Sequence, residues 1–160
     1  VHPLLLGRSM KDLRTALRKE IPQGLLSSIP RSFDIIGSKS KAVAILEVPE
    51  SLRGYEKVIA EALMEVHKNV RSVLAKASER HDTYRTRDLK LIAGQADTEV
   101  LHGEAGCVYR LDPKRVYFSP RESAERMRIA EMVKPRDSVL VMFSGICPYS
   151  SAIARKQHNI

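Results

Sequence analysis

Asp137-Ser138-Val139-Leu140-Val141-Met142-Phe143-Ser144-Gly145-Ile146-Cys147-Pro148-Tyr149-Ser150 is the stretch that decides how this chain is read. An apolar run meets a glycine turn and a proline, and a helix-like segment follows. Strand, turn and helix in that order form the first unit of a nucleotide-binding α/β domain, where the turn brings backbone close to the ligand. Everything upstream reads as a module that delivers something to this turn. Only ten residues follow Ser150.

The 160-residue length predicts one medium domain or two small ones, and 43% apolar residues suffice for a core. The 27 Lys and Arg exceed the 19 Asp and Glu by eight, and the pI is about 9.7. Such an excess favours an anionic partner, although a merely soluble basic protein has the same signature. No apolar run approaches the ~18 residues of a membrane span, and the N-terminal Val1–Leu6 lacks a signal-peptide pattern. Cys107 and Cys147 form no disulfide framework, which suits a reducing, cytoplasmic setting. The five histidines show no ligand spacing, so no metal site is expected.

Residues 9–20 predict a short helix capped by Ser9, with Leu13, Ala16 and Leu17 as its apolar stripe and Lys11, Arg14, Arg18 and Lys19 opposite. A proline-rich stretch then leads to a boundary near Ser32. Phe33–Gly37 and Ala42–Val48 read as strands, the second apolar enough to be buried on both faces. Tyr55–Asn69 has helical periodicity, and Val70–Lys76 is strand-like. Further short strands are expected at Leu89–Ala93, Thr98–His102, Cys107–Leu111 and Val116–Phe118. Cys107 shares a face with Tyr109 and Leu111, which marks it as a small core residue rather than a nucleophile. Ser119-Pro120 opens another helix running to about Val133.

The polar segment 78–87 carries Arg80, Tyr84, Arg85 and Arg87. A ring among arginines suits looped or single-stranded RNA, because the ring stacks on an unpaired base while guanidinium groups meet phosphate. An ordinary hydrophilic turn would look the same.

Certain phrases occur together and in order: Ser32-Phe33-Asp34-Ile35-Ile36-Gly37, Ile45-Leu46-Glu47-Val48-Pro49, Tyr117-Phe118-Ser119-Pro120-Arg121 with Glu125-Arg126 and Arg128-Ile129-Ala130, and Met142 to Ser150. In combination they resemble the archaeal and eukaryotic tRNA (guanine-N1)-methyltransferase family, which modifies the guanosine just 3′ of the anticodon. The wyosine-pathway aminocarboxypropyl transferase is a close relative sharing these phrases. The resemblance covers roughly Ser32 to Ala154.

The resemblance implies a mixed α/β chain: a basic helical segment (1–31), an α+β middle domain facing RNA (32–115), and a linker helix with the first βα unit of a Rossmann-like class I methyltransferase domain (116–160). It implies S-adenosyl-L-methionine as cofactor and the anticodon region of tRNA as partner. Arg121, in the Ser-Pro-Arg phrase, is the implied catalytic residue, stabilising charge on guanine O6 as the N1 proton leaves. Arg126, Phe143, Ser144, Gly145 and Tyr149 are the implied cofactor-binding residues. For Arg121 and Arg126 a salt bridge or solvated helix face is the competing reading. The family turn usually reads Asp-x-Phe-Ala-Gly-x-Gly-Pro. Val141, Ser144 and Cys147 depart from it, and Cys147 is expected to resist the positive φ a glycine would accept. The short tail after Ser150 leads us to expect an incomplete cofactor domain, with Ser138–Phe143 open to a partner chain or self-association. A non-catalytic tRNA-binding remnant is the third reading.

Overall fold

The computed structural model describes residues 13–76 and 89–157. Its elements, in chain order, are α1 (13–17), β1 (Phe33–Gly37), β2 (Ala42–Leu46), α2 (Glu56–Val66), β3 (Val70–Lys76), β4 (Leu89–Gly94), β5 (Val100–Glu104), β6 (Cys107–Leu111), α3 (Ser123–Met132) and α4 (Pro148–Lys156). One-turn 3-10 helices at Glu50–Leu52 and Pro120–Glu122 precede α2 and α3.

Strands β1–β4 form one sheet in sequence order. β1 and β2 are an antiparallel hairpin, and α2 is the crossover that lets β2 and β3 run parallel. β4 closes the sheet antiparallel to β3. All five residues of β2 are buried, as its unbroken apolar run predicts for a strand covered on both faces. One face packs against α1 and α2 through Leu17, Ala44, Leu46, Ile59, Leu63 and Val73. The other face offers Ile36, Val43, Ile45 and Leu74 to the separate β5–β6 hairpin, which answers with Val100, Tyr109 and Leu111. Phe118 plugs the end of this second layer. α3 and α4 pack together through Ala130, Ala152 and Ile153.

Several expectations are corrected. The helix expected over 9–20 is helical at 13–17 and then turns, with Leu13 and Leu17 buried but Ala16 exposed. Ile21 supplies the third anchor instead. Val116–Phe118 is not a strand: the backbone turns back on Asp112, whose carbonyl accepts from Arg115 and Val116 at 2.9 and 3.1 Å. Ser119 makes no side-chain cap; its carbonyl is what the fold uses. Ser138–Phe143 is not a strand either. An apolar run needs a neighbouring backbone ladder to become one, and no described strand lies beside it. Leu140 is 86% and Phe143 101% exposed, while Val141 leans on the α3–α4 cluster.

Candidate active-site cleft

A cleft of about 220 Å³ opens between the main sheet and the segment running from Pro113 into the 3-10 turn at Pro120–Glu122. Asp34 and Lys76 line its sheet side, and Tyr117, Phe118 and Arg121 line the other. Two anchors hold the segment. Asp112 Oδ1 accepts from Thr98 Oγ1 at 2.7 Å and from the Lys114 amide at 3.0 Å, and Phe118 is buried beneath. Pro120 presets the first turn, which projects Arg121 toward the cleft. Arg121 Nε donates to Asp34 Oδ1 at 2.5 Å, and its side chain stays 56% exposed. The Tyr117 hydroxyl lies 3.2 Å from Glu122 Oε1.

Arg126, expected at the cofactor, is 1% exposed. Its Nη1 donates to both oxygens of Glu104 at 2.7 and 2.9 Å, and its Nη2 donates to the Ser119 carbonyl at 2.8 Å. Its guanidinium lies over Phe118 at 4.7 Å and near Tyr149 at 5.8 Å. Arg126 is therefore an internal clasp joining the hairpin, the 3-10 turn and both C-terminal helices, with its two terminal nitrogens committed to protein partners.

His102 belongs to the same knot. Its ring meets Phe118 edge-on at 5.0 Å, its Nδ1 lies 3.2 Å from the Gly37 backbone, and its Nε2 is 3.9 Å from Glu104. Burial pushes its pKa below the ordinary 6.5, and Arg126 adds to that. The Gly37 contact and the Glu104 charge oppose the shift without cancelling it. The neutral ring is thus favoured on folding. As pH falls through about 6.5 the unfolded chain takes up the proton first, so stability is full above that pH and declines below it. The urea midpoint is expected to fall between pH about 7.5 and about 5.5, less steeply in His102→Gln. Parallel profiles for the two proteins would refute this.

The implied cofactor turn is open. Phe143, Gly145 and Cys147 have φ of 53°, 56° and 61°. The Cys147 amide donates to the Ser144 carbonyl at 2.8 Å, closing the turn before α4. Cys147 thus adopts the left-handed conformation it was expected to resist, at a cost of roughly 1–2 kcal/mol. Space for a ligand remains, since nothing lies within 4 Å of where a Gly145 Cβ would be. Ser144 and Tyr149 are half-buried beside it. Arg80, Tyr84, Arg85 and Arg87 lie outside the described residues. Among the described residues no cluster could hold a metal ion, and no helix is long and apolar enough to cross a membrane.

Sequence reasoning named no partner for either arginine. Asp34 stands 87 and Glu104 22 positions from the arginine it meets, and no local spacing signals such pairs. Glu125 has no signal of its own in the sequence beyond its place beside Arg126. It is held by Arg128 through two 2.7 Å bonds, which keep its carboxyl below the usual carboxylate range.

Comparison with known proteins fits this arrangement. Residues 13–98 match the family described as the TYW2 N-terminal domain, and residues 100–159 match the TRM5/TYW2 methyltransferase domain. The chain is 47% identical over 136 residues to the tRNA (guanine(37)-N(1))-methyltransferase Trm5b of Pyrococcus abyssi, covering 85% of this chain and 40% of that protein. It is 37% identical over 142 residues to a tRNA(Phe) (4-demethylwyosine(37)-C(7)) aminocarboxypropyltransferase of Pyrococcus horikoshii, covering 89% and 49%. The crystal structure of Pyrococcus abyssi Trm5b superposes with a TM-score of 0.75 at 45% identity, over 89% of this chain and 42% of that one. A complex of aTrm5 with tRNALeu gives 0.74 at 29% identity, over 90% and 42%. The chain belongs to the TRM5/TYW2 methyltransferase family. It spans about two fifths to one half of the length of these relatives.

Proposed function

We propose that this chain is part of an S-adenosylmethionine-dependent tRNA (guanine-N1)-methyltransferase that acts on the guanosine 3′ of the anticodon in the cytoplasm. The observation that carries this reading is Arg121, an exposed guanidinium braced in an open cleft where the two family-matched segments meet. Methylation at N1 removes the N1 proton and leaves negative charge on O6 in the transition state. Arg121 donates to that oxygen, and such a donor contributes on the order of 10²–10³ in kcat. The N1 proton passes to a base at the cleft as the methyl group arrives. Ser144 and Gly145 at the open turn, flanked by Phe143 and Tyr149, would hold S-adenosylmethionine, which supplies the methyl group bound to a sulfonium. The basic excess engages tRNA phosphates, with Arg80, Tyr84, Arg85 and Arg87 as the proposed RNA contacts. The apolar run 138–143 is the proposed site of further sheet pairing or self-association.

A second reading, aminocarboxypropyl transfer, is favoured by the match of residues 13–98 to the TYW2 N-terminal domain. One assay separates them. The full-length protein is incubated with tRNA and S-adenosylmethionine, and the modified nucleoside is identified by mass. The expected product is 1-methylguanosine, and Arg121→Ala is expected to lower kcat by ~10²–10³. An aminocarboxypropyl product selects the second reading, and no product sinks both. Binding to tRNA is expected to weaken steeply with salt, and a flat titration would argue against the phosphate contacts.

A further inference from the structure

The Arg121–Asp34 contact crosses the boundary between the two family-matched segments. Arg121 lies in the segment matching the methyltransferase domain, and Asp34 in the segment matching the N-terminal domain. Asp34 sits within β1, with its backbone paired opposite Ile45 on β2. Its side chain is only 18% exposed. Residue alternation puts Asp34 on the same face of β1 as fully buried Ile36, the face that meets the hairpin and Phe118. The carboxylate therefore has a fixed origin. Arg121, by contrast, stands on a single 3-10 turn and is more than half exposed. An arginine so placed samples many rotamers unless something holds it.

The contact uses Nε, on one edge of the guanidinium. Because the group is planar, gripping Nε fixes its plane while leaving the terminal nitrogens available to the cleft. An exposed ion pair of this kind adds little to stability, so its value lies in geometry. Glu104 holds Arg126 through Nη1 instead, and Nη2 is taken as well; the remaining Nε is buried without a partner, so that guanidinium offers nothing to the cleft. Of these two arginines, one is consumed by its carboxylate and the other is aimed by it.

We propose that Asp34 is a positioning residue for Arg121: a carboxylate of the N-terminal segment sets the orientation of the arginine that meets guanine O6. The N-terminal segment thereby takes part in the chemistry and does more than carry RNA to it. This inference rests on the proposed role of Arg121 in methyl transfer. A misplaced catalytic group costs on the order of 10–100-fold in rate while substrate binding elsewhere persists.

The test is a double-mutant cycle on the full-length protein, measuring kcat and KM for tRNA and S-adenosylmethionine. Asp34→Ala is expected to lower kcat by about 10–100-fold with both KM values and the melting temperature unchanged. Asp34→Asn, which keeps an acceptor oxygen, is expected to recover part of the loss. In an Arg121→Ala background Asp34→Ala is expected to have no further effect. If Arg121→Ala lowers kcat and Asp34→Ala does not, the positioning role is overturned and the function stands. An equal loss from Asp34→Ala in both backgrounds also overturns it. If Arg121→Ala leaves kcat unchanged, the role of Arg121 itself fails. A second readout needs no turnover: the Arg121 Nε–H resonance is expected to be protected from solvent exchange in the parent and unprotected in Asp34→Ala. Equal exchange in the two refutes the proposal.

Discussion

Arg126→Met is expected to cost roughly 3–5 kcal/mol of folding stability, a large share of the ~5–15 kcal/mol that holds a typical domain folded. The loss comes mainly from Glu104. With Arg126 gone, a carboxylate whose side chain is 5% exposed loses both of its short guanidinium bonds and, among the described residues, keeps His102 at 3.9 Å as its ion-pair partner. Methionine keeps most of the volume between Phe118 and Tyr149, so the measurement isolates charge rather than a cavity. Replacing both partners by apolar residues in Arg126→Met/Glu104→Met is expected to recover most of the loss, because neither side then buries an unpaired charge. Urea denaturation of the four proteins provides the cycle. A single substitution within 1 kcal/mol of the parent, or a double no better than the single, would show that the pair is not the clasp the geometry describes.

Gly94→Ala is expected to cost about 3 kcal/mol or more. Gly94 ends β4 opposite Ser72 on β3, at a φ of 92°. A Cβ there would stand 2.1 Å from the Arg71 carbonyl oxygen and 2.9 Å from Ser72 Cα. Both obstacles are backbone, so no side chain can swing aside. The strand end would have to withdraw, taking with it the Gln95 amide bond to Arg71 and the Ser72 hydroxyl bond to Gln95, at 2.9 and 2.7 Å. Gly103→Ala is the control: it also lies in a strand, yet its Cβ would meet nothing within 4 Å. The expected result is a much lower urea midpoint for Gly94→Ala than for Gly103→Ala, with faster amide exchange in β3 and β4. Equal midpoints would refute the steric argument.

Four of the regular elements were legible because they follow local periodicity. β1, β3 and β6 fall where alternation and apolar runs place them, and α2 follows its 3.6-residue stripe, although it stops at Val66 because His67–Asn69 already turn toward β3. The half-burial of Cys107 on the same face as buried Tyr109 and Leu111 follows from strand alternation alone. The apolar run at 138–143 was misread because hydrophobicity marks a segment that can pair, not one that has a partner. The 116–118 segment was misread for a related reason: Phe118 is apolar because it plugs a layer, not because it lies in a sheet.

The site divides in the same way. Sequence phrases alone identified the Ser119-Pro120-Arg121 turn, the glycine turn at 145 and the family to which both point. They did not distinguish two arginines five positions apart, both of which looked like ligand contacts. Tertiary structure decided between them, because the partner of each comes from a distant strand. Glu104 on β5 buries Arg126 as a clasp, and Asp34 on β1 leaves Arg121 braced and open. Propensity and periodicity are properties of neighbours along the chain, so the sequence by itself determined the elements and the family. Burial and charge pairing are properties of neighbours in space, so only the folded chain decided which arginine is structural and which faces the cleft.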